Sequence, residues 1–132
     1  MLHNWASAEC IRFLRHMLVL EDSDTLRLLS GLGREELAQK KPFALTYSPT
    51  CWGRITISHE PIENRRWLTK FKREDYDEKT IPELAQVIAP RRLPVSIQFD
   101  KMKGAHFVKN GPDVLIDPTA TSWEATWVDF GK

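Results

Sequence analysis

A histidine and an aspartate in the last third of the sequence are spaced so that a β-hairpin would bring them together. Two short runs of β-prone residues, 105–109 and 113–116, flank the turn-like segment Asn110-Gly111-Pro112. If only the last two residues of that segment form the loop, His106 lies directly across from Asp117; a three-residue loop makes the pair diagonal. Directly opposed residues have Cβ atoms about 4.5 to 5.5 Å apart, which lets a carboxylate orient an imidazole. An ordinary hairpin with a half-buried histidine is the alternative.

Cys10 is the thiol that this pair could serve. The apolar spacing over residues 7–20 predicts an amphipathic helix with Ser7 as its N-cap, so Cys10 falls in the first helical turn. Unpaired amides and the positive end of the helix dipole favour a thiolate there. The thiolate would attack a carbonyl, His106 would handle the proton and Asp117 would fix the tautomer. A lone cysteine on the apolar face of a helix is more often a packing residue, and that alternative stays open.

The composition indicates one domain spanning residues 1–132. The chain has 132 residues, 42% of them hydrophobic, and a formal net charge of +1, which gives no global reason to expect a nucleic acid or an anionic membrane as partner. No apolar run is long enough to span a bilayer, and no signal peptide is visible. The two cysteines lack metal-ligand spacing. We therefore expect a cytoplasmic protein, or one delivered from the cytoplasm, that needs neither metal nor cofactor.

Hydrophobic periodicity predicts an α+β fold in which N-terminal helices pack on an antiparallel β-sheet. Helices are expected at 7–20, 23–32, 34–40 and 81–89, and strands at 43–47, 54–58, 93–99, 105–109 and 113–116. Residues 122–130 fit either a short helix or a last strand. The sheet is expected to combine 95–99 with both strands of the hairpin. The change from a helical to a two-residue period near Phe43 is what favours this class.

Residues 63–73 combine basic and aromatic side chains. The basic ones are Arg65, Arg66, Lys70, Lys72 and Arg73, with Trp67 and Phe71 between them. Such a segment could stack on bases and hold phosphates. Four acidic residues follow within 74–78 and cancel its field, so a solvated amphipathic helix or loop is favoured over nucleic-acid contact.

Several of these segments together resemble the papain-like cysteine peptidases. The likeness comprises a cysteine leading the first helix, Leu-Pro-Val-x-Ile at 93–97, His-Phe-Val at 106–108, Asp-Pro at 117–118 and Ser-Trp-Glu at 122–124. It is similar in particular to the bacteriocin-processing peptidases that cut after a double glycine and occur fused to export transporters. The resemblance implies a papain-like fold with Cys10 as nucleophile, His106 as base and Asp117 as its orienting partner.

The resemblance also assigns Asn4, which stands where the family has its oxyanion-hole glutamine, six residues before the cysteine. Its side-chain amide could donate the same hydrogen bond on a shorter arm. The sequence departs from the family at Ile11, where glycine normally follows the nucleophile. A second nucleophile candidate is Cys51, because Cys51-Trp52-Gly53 resembles the Cys-Trp wording of papain-like and transglutaminase-like enzymes.

The sequence thus predicts a small cysteine peptidase or acyl-transfer domain that acts on peptide or amide bonds of a peptide or protein substrate. Two alternatives belong to other classes. One is a catalytically silent papain-like binding module. The other is a small host-interaction or nucleic-acid-binding protein that uses the basic and aromatic segment 65–73.

Overall fold

The computed structural model describes residues 15–74 and 84–131, and these residues form mainly β-strands. About 60% of the structure is strand and 8% is helix. The strands are β1 (Val19–Asp22), β2 (Thr25–Leu28), β3 (Phe43–Thr50), β4 (Gly53–Ile62), β5 (Arg66–Glu74), β6 (Gln86–Pro90), β7 (Arg92–Leu93), β8 (Ile97–Lys103), β9 (Phe107–Asn110), β10 (Asp113–Ile116) and β11 (Ser122–Asp129). The helical residues are 15–18 and the short helix Arg34–Ala38.

The strands of the described residues form two curled sheets. One has five strands in the order β1-β2-β6-β10-β9, and the other has six in the order β3-β4-β5-β11-β8-β7. Neighbouring strands are antiparallel except β2 and β6, which run parallel. Four of the antiparallel pairs consist of consecutive strands joined by a short turn, as expected for a meandering β protein. These pairs are β1–β2, β3–β4, β4–β5 and β9–β10.

The predicted α+β, papain-like fold is therefore wrong. The segment expected to be a helix at 23–32 contains β2, the 63–73 segment forms most of β5, and the described part of 81–89 leads into β6. The reason is visible in β5, where buried and exposed side chains alternate along the strand. Short apolar runs without flanking signals fit a strand and a helix equally well, and pairing with neighbouring strands decides between them.

Other predicted elements are confirmed. The helix expected at 34–40 is present at Arg34–Ala38, and strands are present where 43–47 and 54–58 were expected. The hairpin also forms, with Asp113 opposite Asn110 and a two-residue loop between them. However, β8 belongs to the six-stranded sheet and not to the sheet of the hairpin, so the expected combination of strands is wrong.

A hydrophobic core lies between the two sheets. In the six-stranded sheet, Phe71 and Trp123 stack with their ring centroids 4.9 Å apart. Phe99 of that sheet and Phe107 of the five-stranded sheet pack edge to face, with their ring centroids 5.1 Å apart. This contact joins the two sheets. The five-stranded sheet contributes the buried aliphatic side chains Leu26, Leu28, Val87, Val114 and Ile116. Each such side chain contributes roughly 1.5 to 3 kcal/mol through its removal from water.

Candidate functional site

The hairpin places His106 and Asp117 opposite each other, but the carboxylate of Asp117 binds Thr119 and not the imidazole. The Asp117 amide donates to the His106 carbonyl at 2.9 Å, which continues the register of β9 and β10. Oδ1 of Asp117 accepts from the amide of Thr119 at 2.9 Å and from its hydroxyl at 2.7 Å. These two bonds hold the pKa of the Asp117 carboxyl below its usual value, and the charge of His106 contributes least. The carboxylate therefore closes the turn after β10.

The predicted contact between the imidazole and this carboxylate does not form. Within the part of the chain that the structure describes, no hydrogen bond or ion pair joins a ring nitrogen of His106 to Asp117. Cys10 and Asn4 lie outside the described residues. Catalysis by Cys10, His106 and Asp117 with Asn4 as oxyanion donor therefore stays a prediction.

The second nucleophile candidate, Cys51, lies in the turn between β3 and β4 with an exposed, free thiol. Its amide donates to Oε1 of Glu21 at 2.7 Å. A strand begins two residues later at Gly53, as the sequence predicts. The papain-like and transglutaminase-like enzymes, whose Cys-Trp sequence this segment resembles, place the nucleophile at the start of a helix. Cys51 thus lacks the helix dipole that would favour a thiolate.

The segment 65–73 does not present its aromatic side chains to solvent. Along β5 the side chains alternate between the two faces of the sheet, so Trp67 and Phe71 are buried in the core. Lys70 and Lys72 point to the outer face, where Lys72 pairs with Glu74 at 3.0 Å. Stacking on bases by this segment, the feature that suggested nucleic-acid contact, is therefore not available in this structure.

A buried histidine lies on the neighbouring strand β4, where His59 is opposite Thr69 of β5. The His59 ring is fully buried and stacks on Trp67 at 4.7 Å. Its Nδ1 is 2.8 Å from the hydroxyl oxygen of Thr69, which also accepts from Nε1 of Trp127 at 2.9 Å. Nε2 has no partner among the described residues. Burial lowers the pKa of His59 from 6.5 to about 3, so the ring is neutral at physiological pH.

An open cleft of about 410 Å³ lies at one end of the six-stranded sheet. Three chain segments meet there because Val128 of β11 pairs with Arg66 of β5 and Asp129 pairs with Ile97 of β8. The turn between β4 and β5, the turn between β7 and β8 and the end of β11 thereby form one side. The short helix and the residues after it form the other. The lining residues are Arg34, Leu37, Ala38, Lys40, Arg65, Val95, Ser96, Asp129 and Gly131.

The cleft is positively charged. Arg34, Lys40 and Arg65 contribute three positive charges, and Asp129 contributes one negative charge. Within the described residues, none of the three cations forms an ion pair or a side-chain hydrogen bond. By contrast, the neighbouring Arg66 is paired with Asp100 across the outer face at 3.1 Å. An external anion that enters the cleft would thus have no ion pair among the described residues to displace.

The backbone around the cleft is held by hydrogen bonds between its segments and contains strained φ angles. The amide of Asp129 donates to the Arg65 carbonyl at 2.7 Å, and the next amide, of Phe130, donates to the Ser96 carbonyl at 3.0 Å. Four lining residues have positive φ angles between 52° and 67°, namely Lys40, Arg65, Val95 and Ser96. For a β-branched residue such as valine this conformation is a true outlier. Strain of this kind is concentrated at binding and active sites.

Gly131 completes the wall of the cleft. Its amide donates to Oδ1 of Asp129 at 2.8 Å, which fixes the orientation of that carboxylate. A methyl group at this position would lie 2.8 Å from the Val95 carbonyl oxygen and 3.0 Å from the same Oδ1. The close approach of these two segments therefore requires a glycine.

Most of this cleft was not predicted from the sequence. Of its lining residues, the sequence indicates only Arg65, as one member of a basic segment. Asn64-Arg65 between two strands and Pro94 before Val95 are local turn signals. They do not show that the turns meet, because this depends on the pairing of β5, β11 and β8.

Two other properties bear on the kind of site. Among residues 15–74 and 84–131, no group of three His, Cys, Asp or Glu side chains is arranged to hold a metal ion. In the same part of the chain, no helix is sufficiently long and apolar to cross a membrane.

No family model matches this chain, and no curated protein or solved structure is similar enough to count as a match. The function must therefore be argued from the site itself.

Proposed function

We propose that this protein is a β-sheet binding module that takes an anionic group, a carboxylate or a phosphate, in the cleft at the end of the six-stranded sheet. The observation that supports this most is the set of three cations, Arg34, Lys40 and Arg65, which converge on one cleft without an acidic partner among the described residues. Charge-assisted hydrogen bonds to carboxylates and phosphates are about twice as strong as neutral ones.

The size of the cleft supports a small ligand. Its volume of about 410 Å³ falls within the range of roughly 300 to 1,000 Å³ that is typical of ligand pockets. The backbones of Arg65 and Ser96 are held by hydrogen bonds from the amides of Asp129 and Phe130. The main chain at these two positions is already held in place, so it loses little conformational entropy on binding.

The experiment is an NMR titration of the protein with inorganic phosphate and with pentanoate at low ionic strength. We compare Arg65→Gln with Arg66→Gln, because these neighbours carry the same charge and only Arg65 lines the cleft. Loss of Arg65 should weaken binding about tenfold, the effect of one charge-assisted hydrogen bond, and loss of Arg66 should change it little. Equal effects of both variants would contradict the proposal, since they would indicate only a general effect of net charge.

A cysteine peptidase or acyl-transfer activity is the second candidate. The observation in its favour is that His106 and Asp117 occupy opposite positions of the hairpin. For this activity, the Asp117 carboxylate would have to exchange a bond to Thr119 for one to the imidazole. An activated Cys10 should react with iodoacetamide below neutral pH, and Cys10→Ala should abolish turnover with little loss of stability. Reaction only above the ordinary thiol pKa of about 8.5 would contradict this candidate.

A further inference from the structure

The cleft contains a negative pole as well as a positive one. Asp129 lines the same cavity as the three cations, yet no ion pair joins it to any of them within the described residues. Its Oδ1 is oriented by the amide of Gly131, and its backbone amide is bound to the Arg65 carbonyl. The carboxylate therefore lines the same cleft as the cations without forming an ion pair with them.

This arrangement favours a ligand that carries both charges over a ligand that carries only negative charge. A polyanion bound by Arg34 and Arg65 would also meet the carboxylate of Asp129, and like charges at close range repel each other. A ligand that carries an ammonium group beside its anion meets an opposite charge at both poles. The cleft is also lined by Leu37, Ala38 and Val95, whose apolar side chains suit a short aliphatic spacer.

We propose that the ligand is a small zwitterion of the amino-acid type, with its carboxylate bound by the cations and its ammonium group bound by Asp129. This inference rests on the proposed function, because it concerns the same cleft. It adds the second charged group of the ligand and the residue that recognises it. None of the lining residues is aromatic, so the cleft offers no platform on which a nucleobase would stack.

The test uses two probes that differ only in the ammonium group, pentanoate and 5-aminopentanoate. Wild-type protein should bind 5-aminopentanoate about tenfold more tightly than pentanoate, as expected for one charge-assisted hydrogen bond. Asp129→Asn should abolish that preference and bind pentanoate more tightly than the wild type does. The asparagine oxygen can still accept from Gly131, so the substitution removes the charge and keeps the turn. The 4-carbon and 6-carbon ω-amino acids measure the separation of the poles.

The control variant is Asp100→Asn, which removes a carboxylate from the outer face of the sheet, where it pairs with Arg66. It should leave the preference for 5-aminopentanoate unchanged. Equal affinity of the wild type for both probes, with binding still dependent on Arg65, would overturn the zwitterion proposal and leave the anion site standing. Absence of binding of every probe would overturn both.

Discussion

Acidification should destabilise this protein through one buried side chain, His59. The ring is fully buried, and burial lowers its pKa to about 3, whereas in the unfolded chain it titrates near 6.5. Between these two values the unfolded state binds a proton that the folded state excludes. The free energy of unfolding therefore has its full value above pH 6.5, where His59 is neutral in both states. It falls as the pH is lowered from 6.5 toward 3.

The size of this effect follows from the two pKa values. Each pH unit within the window reduces the free energy of unfolding by about 1.4 kcal/mol for one proton. From about pH 7 to about pH 4.5, the contribution of His59 is therefore a loss of roughly 2 to 3 kcal/mol. Such a loss is a substantial fraction of the 5 to 15 kcal/mol or so that stabilises a typical domain.

The assay is urea denaturation of the wild type and of His59→Gln at several pH values between about 7 and 4.5. Glutamine does not titrate and keeps a polar group that can reach the Thr69 hydroxyl. We expect the variant to be less stable at neutral pH, because it loses the stacking of the ring on Trp67. We also expect its stability to fall less steeply with acid, so that the two curves converge.

Parallel curves for the two proteins would refute this reasoning. They would mean that His59 takes up its proton at the same pH in both states, and so that the ring is hydrated in the folded protein. The carboxylates of the chain also titrate in this range, but they are common to both proteins and cancel in the difference.

Three further predictions concern single positions. Gly131→Ala should weaken phosphate binding, because the added methyl group meets the Val95 carbonyl at 2.8 Å; unchanged affinity in the titration would show that the wall can yield. Asp117→Ala should lower the free energy of unfolding by about 1 kcal/mol through loss of the bonds to Thr119, while Asp117→Asn should keep most of it; denaturation of both variants checks this. The exposed Cys51 should react with iodoacetamide in the folded protein as fast as in urea, and strong protection would contradict its position.

The sequence predicted those elements whose signals are local. The hairpin of β9 and β10 was correctly predicted, because Asn110-Gly111-Pro112 stands between two β-prone runs. Of the two registers that the sequence left open, the structure has the one with the two-residue loop. The 23–32 segment was assigned wrongly because Leu26, Leu28, Leu29 and Leu32 fit a helical face. In the structure Leu29 leaves the strand with φ of 61°.

The cleft could not have been predicted in the same way. Its cations come from the short helix, from the residues just after it and from the turn between β4 and β5, and its carboxylate comes from the end of β11. Arg65 and Asp129 meet because β11 pairs with both β5 and β8. Pairing between strands so distant in sequence is decided by packing of the whole sheet, for which local propensity is a weak guide.

The measurement that tests the anion site most directly is a map of backbone amide shifts in the NMR titration with inorganic phosphate. We predict saturable shifts that cluster around the cleft, at Lys40, Arg65, Ser96 and Gly131, and that weaken as salt is added. Shifts centred on the outer face of β5, at Lys70 and Lys72, or spread evenly over all basic residues, would contradict the assignment of the cleft as the binding site.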